Sequence, residues 1–133
     1  MATALITGAA ARLGRAIVEE LHRDHRVIIH YRNSRTAAEA LAERLNAIRP
    51  DSAATLHSAL TSATDCERLA QAATTQFGEI SVLVNNASAF FPTPIGSAGE
   101  PEWDTLMGSN LKAPFFLSQA LAPGLAAQGG CIV

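Results

Sequence analysis

Thr7-Gly8-Ala9-Ala10-Ala11-Arg12-Leu13-Gly14 is the stretch on which the fold reading turns. Before it, Thr3 to Thr7 is a short apolar run that reads as a buried strand. After it, Leu13, Ile17 and Leu21 recur at i, i+4 and i+8 across Arg12 to Arg23, one face of a helix. Gly8, directly after the strand, lets the backbone turn and come close to a ligand. Gly14, at the helix start, lets that helix pack tightly on the strand. The first N–H groups of a helix lack partners and carry a partial positive charge, so such a turn suits an anion. The spacing is not G-x-G-x-x-G, and it is the placement in the first strand-to-helix turn that strengthens the reading. Two glycines serving only to pack the turn are the alternative.

Working outward, the pattern repeats. His25 to Tyr31 holds the β-branched run Val27-Ile28-Ile29, typical of a central parallel strand. Arg35 to Ile48 puts Ala38, Leu41, Leu45 and Ile48 on one helix face, and Pro50 ends it. Ala53 to Leu60 is a weaker strand. Asp65 to Phe77 turns Cys66, Leu69, Ala73 and Phe77 inward, with Gly78 past its end. Ile80 to Val84 is a strongly apolar strand, and residues 86–99 are rich in Pro, Gly, Ser and Ala and read as a loop. Glu102 to Met107 and Leu111 to Gln128 are helical; Pro114 fits only if a helix begins or kinks near it. Cys131 to Val133 opens a last strand. The order β-α-β-α-β-α-β-α-β predicts an α/β fold with a doubly wound parallel (Rossmann) sheet, formed by residues 1–133 as one dinucleotide-binding domain.

Composition narrows the function classes. The 133 residues are 48% hydrophobic and 17% charged, which excludes a disordered chain. A net charge of -2 argues against binding nucleic acid or a membrane surface by bulk electrostatics. Cys66 and Cys131 lie far apart and form no CxxC, so neither a zinc site nor a disulfide framework is expected. No apolar run approaches the roughly 20 residues of a membrane span. A cytoplasmic location is the resulting expectation. His22-Arg23-Asp24-His25 falls at a helix end, where His and Arg suit the dipole, and no metal site is expected there. His57 reads as a strand-face residue, and Trp103 with Leu106 and Met107 as packing.

Three motifs then act together. Thr7-Gly8 with Gly14, Asn85-Asn86-Ala87 after the fourth strand, and Asn110 before a Leu resemble the short-chain dehydrogenase/reductase family. The resemblance covers the whole chain. Within the family the chain looks most like the pteridine reductases. Arg12 stands where the middle glycine of the turn is usual, and the usual Asn-Asn-Ala-Gly reads Asn85-Asn86-Ala87-Ser88, followed by Ala89-Phe90-Phe91-Pro92-Thr93-Pro94.

The resemblance implies a nicotinamide cofactor, and the end of the second strand bears on which one. An NAD enzyme usually has Asp or Glu there, about twenty residues past the turn, on the ribose hydroxyls. Here His30-Tyr31-Arg32-Asn33-Ser34 offers no carboxylate, and Arg32 presents a fork for a 2′-phosphate, with Asn33 and Ser34 as neutral donors. NADPH is therefore expected; the alternative is that Arg32 and Arg35 are a solvated helix start. The Asp-Leu pair that usually meets adenine reads Ala59-Leu60, a departure that removes one contact. The expected cofactor residues are Thr7, Gly8, Arg12, Leu13, Gly14, His30, Tyr31, Arg32, Asn33, Ser34, Leu60, Asn86, Ala87 and Ser88.

For the substrate, the resemblance implies that Phe90 stacks on a flat pterin ring, while Arg12 and Ser88 meet its polar edge or the cofactor phosphates. Phe90 as a core aromatic, Ser88 as a loop hydroxyl, and Asn85 and Asn86 as ties between strand and loop are the alternatives; Phe91 is the better candidate for the core. Of the family's Asn-Ser-Tyr-Lys set only Asn110 has a match, with the implied role of ordering a water in a proton relay. The one tyrosine, Tyr31, and the one lysine, Lys112, do not form Tyr-x-x-x-Lys. The expectation is thus the N-terminal part of a pterin reductase, ending as its fifth strand begins and inactive alone. The alternatives are a 3-oxoacyl-type carbonyl reductase or a non-catalytic NADP-binding fragment. The family also implies a homo-oligomer, commonly a tetramer.

Overall fold

A computed structural model describes all residues, Met1–Val133. Five strands, β1 (Thr3–Ile6), β2 (Arg26–Tyr31), β3 (Ala53–His57), β4 (Val82–Val84) and β5 (Cys131–Ile132), form one parallel sheet. Their order is β3-β2-β1-β4-β5. Between them lie α1 (Arg12–Leu21), α2 (Arg35–Ile48), α3 (Ala63–Phe77), α4 (Glu100–Met107) and α5 (Ala113–Gln128). This is the doubly wound fold the sequence predicts. The strand order reverses between β1 and β4, which opens a crevice at their carboxyl ends.

Alternation along the strands builds two cores. Ala4, Ile6, Val27 and Ile29 face one way, onto Val18 of α1 and Ala38, Leu41 and Leu45 of α2. Leu5, Ile28 and Leu83 face the other, onto Cys66, Leu69 and Ala73 of α3 and Leu117, Leu121 and Leu125 of α5. The period of two along a strand places adjacent residues on opposite faces, so the central strands are apolar throughout.

Boundaries differ from the sequence reading where a turn overrides an apolar pattern. The third strand stops at His57 rather than Leu60, and Leu60 bends the chain with φ +52°. The helix before β4 starts earlier than predicted, at Ala63, because Ser62 caps it: its side chain accepts the Asp65 N–H at 3.1 Å. The last two helices are one continuous rod joined by a π-helical turn, Gly108–Lys112. Pro114 follows directly on that π-helical turn, where the rod's regular i→i−4 ladder is already interrupted.

Trp103 is not part of either core, contrary to its reading as a packing residue. Its side chain is 65% exposed, and it joins Met107, Leu111 and Phe115 in an exposed apolar stripe down the rod. Phe91 is half-buried and belongs to neither core. No helix is long and apolar enough to cross a membrane.

Leu117 is fully buried between α5 and the sheet. Leu117→Ala is expected to cost about 2–5 kcal/mol of folding stability, read from denaturant melts.

Candidate functional site

A cavity of about 560 Å³ opens at the carboxyl ends of β1, β2 and β4. Three segments wall it: the turn from Gly8 to Gly14, the strand end from His30 to Ser34, and Asn86 to Ser88. It lies at the switch point of the sheet.

The turn is shaped by close backbone approach. Gly8 has φ +59°, and a Cβ there would meet Ala87 Cα at 2.8 Å. A Cβ on Gly14 would lie 2.3 Å from Gly8 O and 2.6 Å from Asn86 Nδ2. Neither position tolerates a side chain. Ala11 begins α1 with no side-chain cap, and the N–H groups of Ala11 to Gly14 donate to nothing within the chain. Arg12 holds φ +52°, a left-handed backbone that costs a non-glycine residue about 1–2 kcal/mol. Its side chain makes no ion pair.

Thr7 and Asn86 build the frame behind the turn. Thr7 is 2% exposed and does not line the cavity. Its Oγ1 accepts the N–H groups of Asn86 at 3.0 Å and Ala87 at 2.9 Å. Asn86 Nδ2 donates to the carbonyls of Thr7 and Gly8, both at 3.0 Å. These two side chains tie β1 to β4, so the expected cofactor contact by Thr7 becomes a positioning one. Asn85 likewise ties β4 to α5, donating to Ser118 Oγ at 3.3 Å.

Arg32, Asn33 and Ser34 form the exposed mouth. Arg32 has no ion pair, and Ser34 precedes α2 without capping it. Tyr31 is buried, its ring 5.5 Å from that of exposed His57 and beneath the Arg35 guanidinium. No residue lining the cavity is acidic, while Arg12 and Arg32 are both unpaired. The field and the free N–H groups favour an anion. His30 lines the floor, and burial pushes its pKa down to about 4.

The remaining expected residues are not all gathered here. Leu13, Gly14, Ala87 and Ser88 line the cavity. Leu60 is buried and lies outside the lining. Phe90 also lies outside it, 89% exposed on its loop, which rules out the core alternative. The Asn110 side chain is engaged on the Ala89 backbone, using one acceptor site and one donor of its amide. Its Oδ1 accepts the Ala89 N–H at 3.1 Å and its Nδ2 donates to the Ala89 carbonyl at 2.8 Å. It therefore clamps the loop between Ser88 and Phe90. Pro114, four residues on, has no N–H to give the Asn110 carbonyl. Ala10 and Ala11 line the cavity and were missed; small side chains within the glycine turn were the available signal.

Sheet order, switch-point cavity and glycine turn together define a doubly wound protein of the nucleotide-binding class. A family model described as short chain dehydrogenase matches residues 2–133, and the chain belongs to this oxidoreductase family, whose members bind a nicotinamide cofactor. Pteridine reductase 1 of Leishmania tarentolae is 39% identical, covering 92% of this chain and 54% of its own length. A 3-oxoacyl-(acyl-carrier-protein) reductase of Staphylococcus aureus is 32% identical, covering 98% of this chain and 54% of its own length. A short-chain dehydrogenase/reductase of Cladobotryum is 32% identical over 88% of the chain. The chain spans about half the length of these curated relatives.

Two glycine-turn variants separate frame from ligand contact. Gly14→Ala is expected to lose about 3 kcal/mol of stability, the upper end for an added methyl, because backbone rather than a flexible side chain blocks it. Arg12→Gly is expected to gain about 1 kcal/mol by relieving the left-handed strain, while weakening anion binding. Thermal melts with and without ligand read both. Acid gives a third check. His30 and His22 both have pKa values lowered, chiefly by burial, so the unfolded chain takes up the protons more readily. Stability is therefore full above the ordinary histidine range and falls as pH drops from about 6.5 toward about 4, by on the order of 2–3 kcal/mol for His30. Urea melts across that interval show the slope.

Proposed function

We propose that the protein is an NADPH-dependent reductase acting on pterins, of the dihydropteridine or dihydrofolate-like class. The observation that carries this is a cavity whose charged side chains are two unpaired arginines, Arg12 and Arg32, beside an uncapped helix start and with no carboxylate. A carboxylate at the end of β2 would repel a 2′-phosphate; Arg32, Asn33 and Ser34 instead offer it donors. The N–H groups of Ala11 to Gly14 and the Arg12 guanidinium receive the diphosphate. When bound, the cofactor supplies the hydride to the substrate. The chain's own part is to bind, orient and screen.

Support for a pterin comes from the loop and from one relative. Asn110 fixes Ala89 at both its N–H and its carbonyl, so the neighbouring Phe90 ring has an anchored base. An exposed aromatic face suits a flat heterocycle by offset stacking. The similarity to a pteridine reductase points the same way. The Staphylococcus relative favours a second reading, a 3-oxoacyl-type carbonyl reductase. In both readings the 133 residues act as one dinucleotide-binding domain, the location is cytoplasmic, and the partner is a second copy of the chain. The exposed stripe of Trp103, Met107, Leu111 and Phe115 supports self-association.

Arg32→Ala is expected to weaken NADPH binding by ~1.5–3 kcal/mol and leave NADH nearly unchanged, because only the former carries the 2′-phosphate. Equal losses in a fluorescence titration would sink the cofactor reading. For substrate class, NADPH oxidation by the protein is compared with dihydrobiopterin and an acetoacetyl thioester. Turnover of the thioester alone would replace the pterin by the second reading.

A further inference from the structure

His30 is 1% exposed, yet both ring nitrogens are engaged within the chain. The Gly8 N–H donates to Nδ1 at 3.0 Å. Nε2 faces the Ser58 carbonyl at 2.9 Å. A backbone N–H only donates and a carbonyl only accepts, so the pair fixes a neutral ring with its proton on Nε2. The carbonyl of His30 also accepts the Ala9 N–H at 2.9 Å. One residue thus joins the turn after β1, the end of β2 and the chain after β3. The brace continues past Ser58, whose Oγ accepts the Leu60 N–H at 3.3 Å.

We infer that His30 is a positioning residue that acts through the glycine turn rather than on the ligand, holding Gly8 and Ala9 so that the free N–H groups of Ala11 to Gly14 converge on a diphosphate. This rests on the reading of the cavity as a dinucleotide site. Gly8 and Ala9 would otherwise compete for the anion or relax inward, because a buried donor left without a partner is costly. Their N–H groups are instead committed to the floor, and those of Ala11 to Gly14 stay free. Burial keeps the ring neutral and so keeps Nδ1 an acceptor.

Carboxamides can separate the two arms. An Asn oxygen reaches about where Nδ1 stands and can accept from Gly8, but it does not extend to Ser58. A Gln nitrogen reaches about where Nε2 stands and can donate to Ser58, but it leaves Gly8 unpaired. Calorimetry with three probes reads the difference: ADP carries the diphosphate, 2′-AMP carries only the 2′-phosphate, and 5′-AMP is its positional control. His30→Gln is expected to weaken ADP about tenfold or more while 2′-AMP stays within about twofold. His30→Asn is expected to keep ADP within about threefold of the unsubstituted chain.

Retained ADP affinity in His30→Gln would overturn the inference. So would equal losses in both variants, or equal losses of ADP and 2′-AMP. If the unsubstituted chain prefers 5′-AMP to 2′-AMP, the NADPH reading fails and the ADP comparison still decides His30. Failure of the unsubstituted chain to bind ADP overturns both. If His30→Gln does not fold, the ¹⁵N spectrum of the unsubstituted chain near neutral pH decides. A neutral ring protonated on Nε2 supports the brace, and a proton on Nδ1 overturns it.

Discussion

The approach of the first turn to the end of β4 is the constraint on which the rest depends. Gly14 comes so close to Gly8 and Asn86 that even a methyl group has no room. That contact brings the start of α1 against the sheet, and so fixes where its free N–H groups point. Asn86 and Thr7 lock the same contact with hydrogen bonds from both directions. A buried polar group that is fully satisfied stiffens its surroundings, whereas a half-satisfied one loosens them. The cavity therefore has a stiff back wall made of neutral groups, and its charged side chains stand in front.

This division separates side chains that the backbone already engages from side chains that stand free at the cavity. Thr7, Asn86, His30 and Asn110 all have side chains already engaged by the backbone. Arg12, Arg32 and Ser34 have none of their side-chain atoms in an ion pair or a cap. Polar residues in a recognition motif therefore sort by whether their hydrogen-bonding capacity is already used. The sequence pattern alone cannot do that sorting, because both kinds occur in the same short stretches.

The fold was legible because it rests on periodicity and on glycine. Val27 to Ile29 and Leu41 to Leu45 announce a buried strand and an inward helix face from local pattern. What stayed hidden depends on distant partners. Leu60 lies in an apolar run that looks like strand, yet its left-handed backbone and its bond to Ser58 end the strand early. Trp103 looks like a core residue, but the helix face it occupies turns outward. The engagement of Asn110 with Ala89 spans 21 positions and passes through a π-helical turn that no local pattern announces. Cavity lining by Ala10 and Ala11 was missed for the opposite reason, since residues without functional groups draw no notice in a motif.

Arg12 shows why the strained position and the charged one coincide. A glycine there would adopt φ +52° freely, and the fold would be more stable for it. An arginine pays in backbone energy and makes no ion pair within the chain. The surrounding frame makes that strain affordable, because Gly8, Gly14 and the Asn86 bonds hold the turn whichever residue occupies position 12. Strain that contributes nothing to packing is kept only where the side chain has work beyond the fold. Arg12 stands at the lip of an anion-favouring cavity, next to free N–H groups, where the proposed function gives it that work. The rigid frame and the strained arginine are thus two parts of one arrangement, in which neutral bonds set the geometry and unpaired charge faces the cavity.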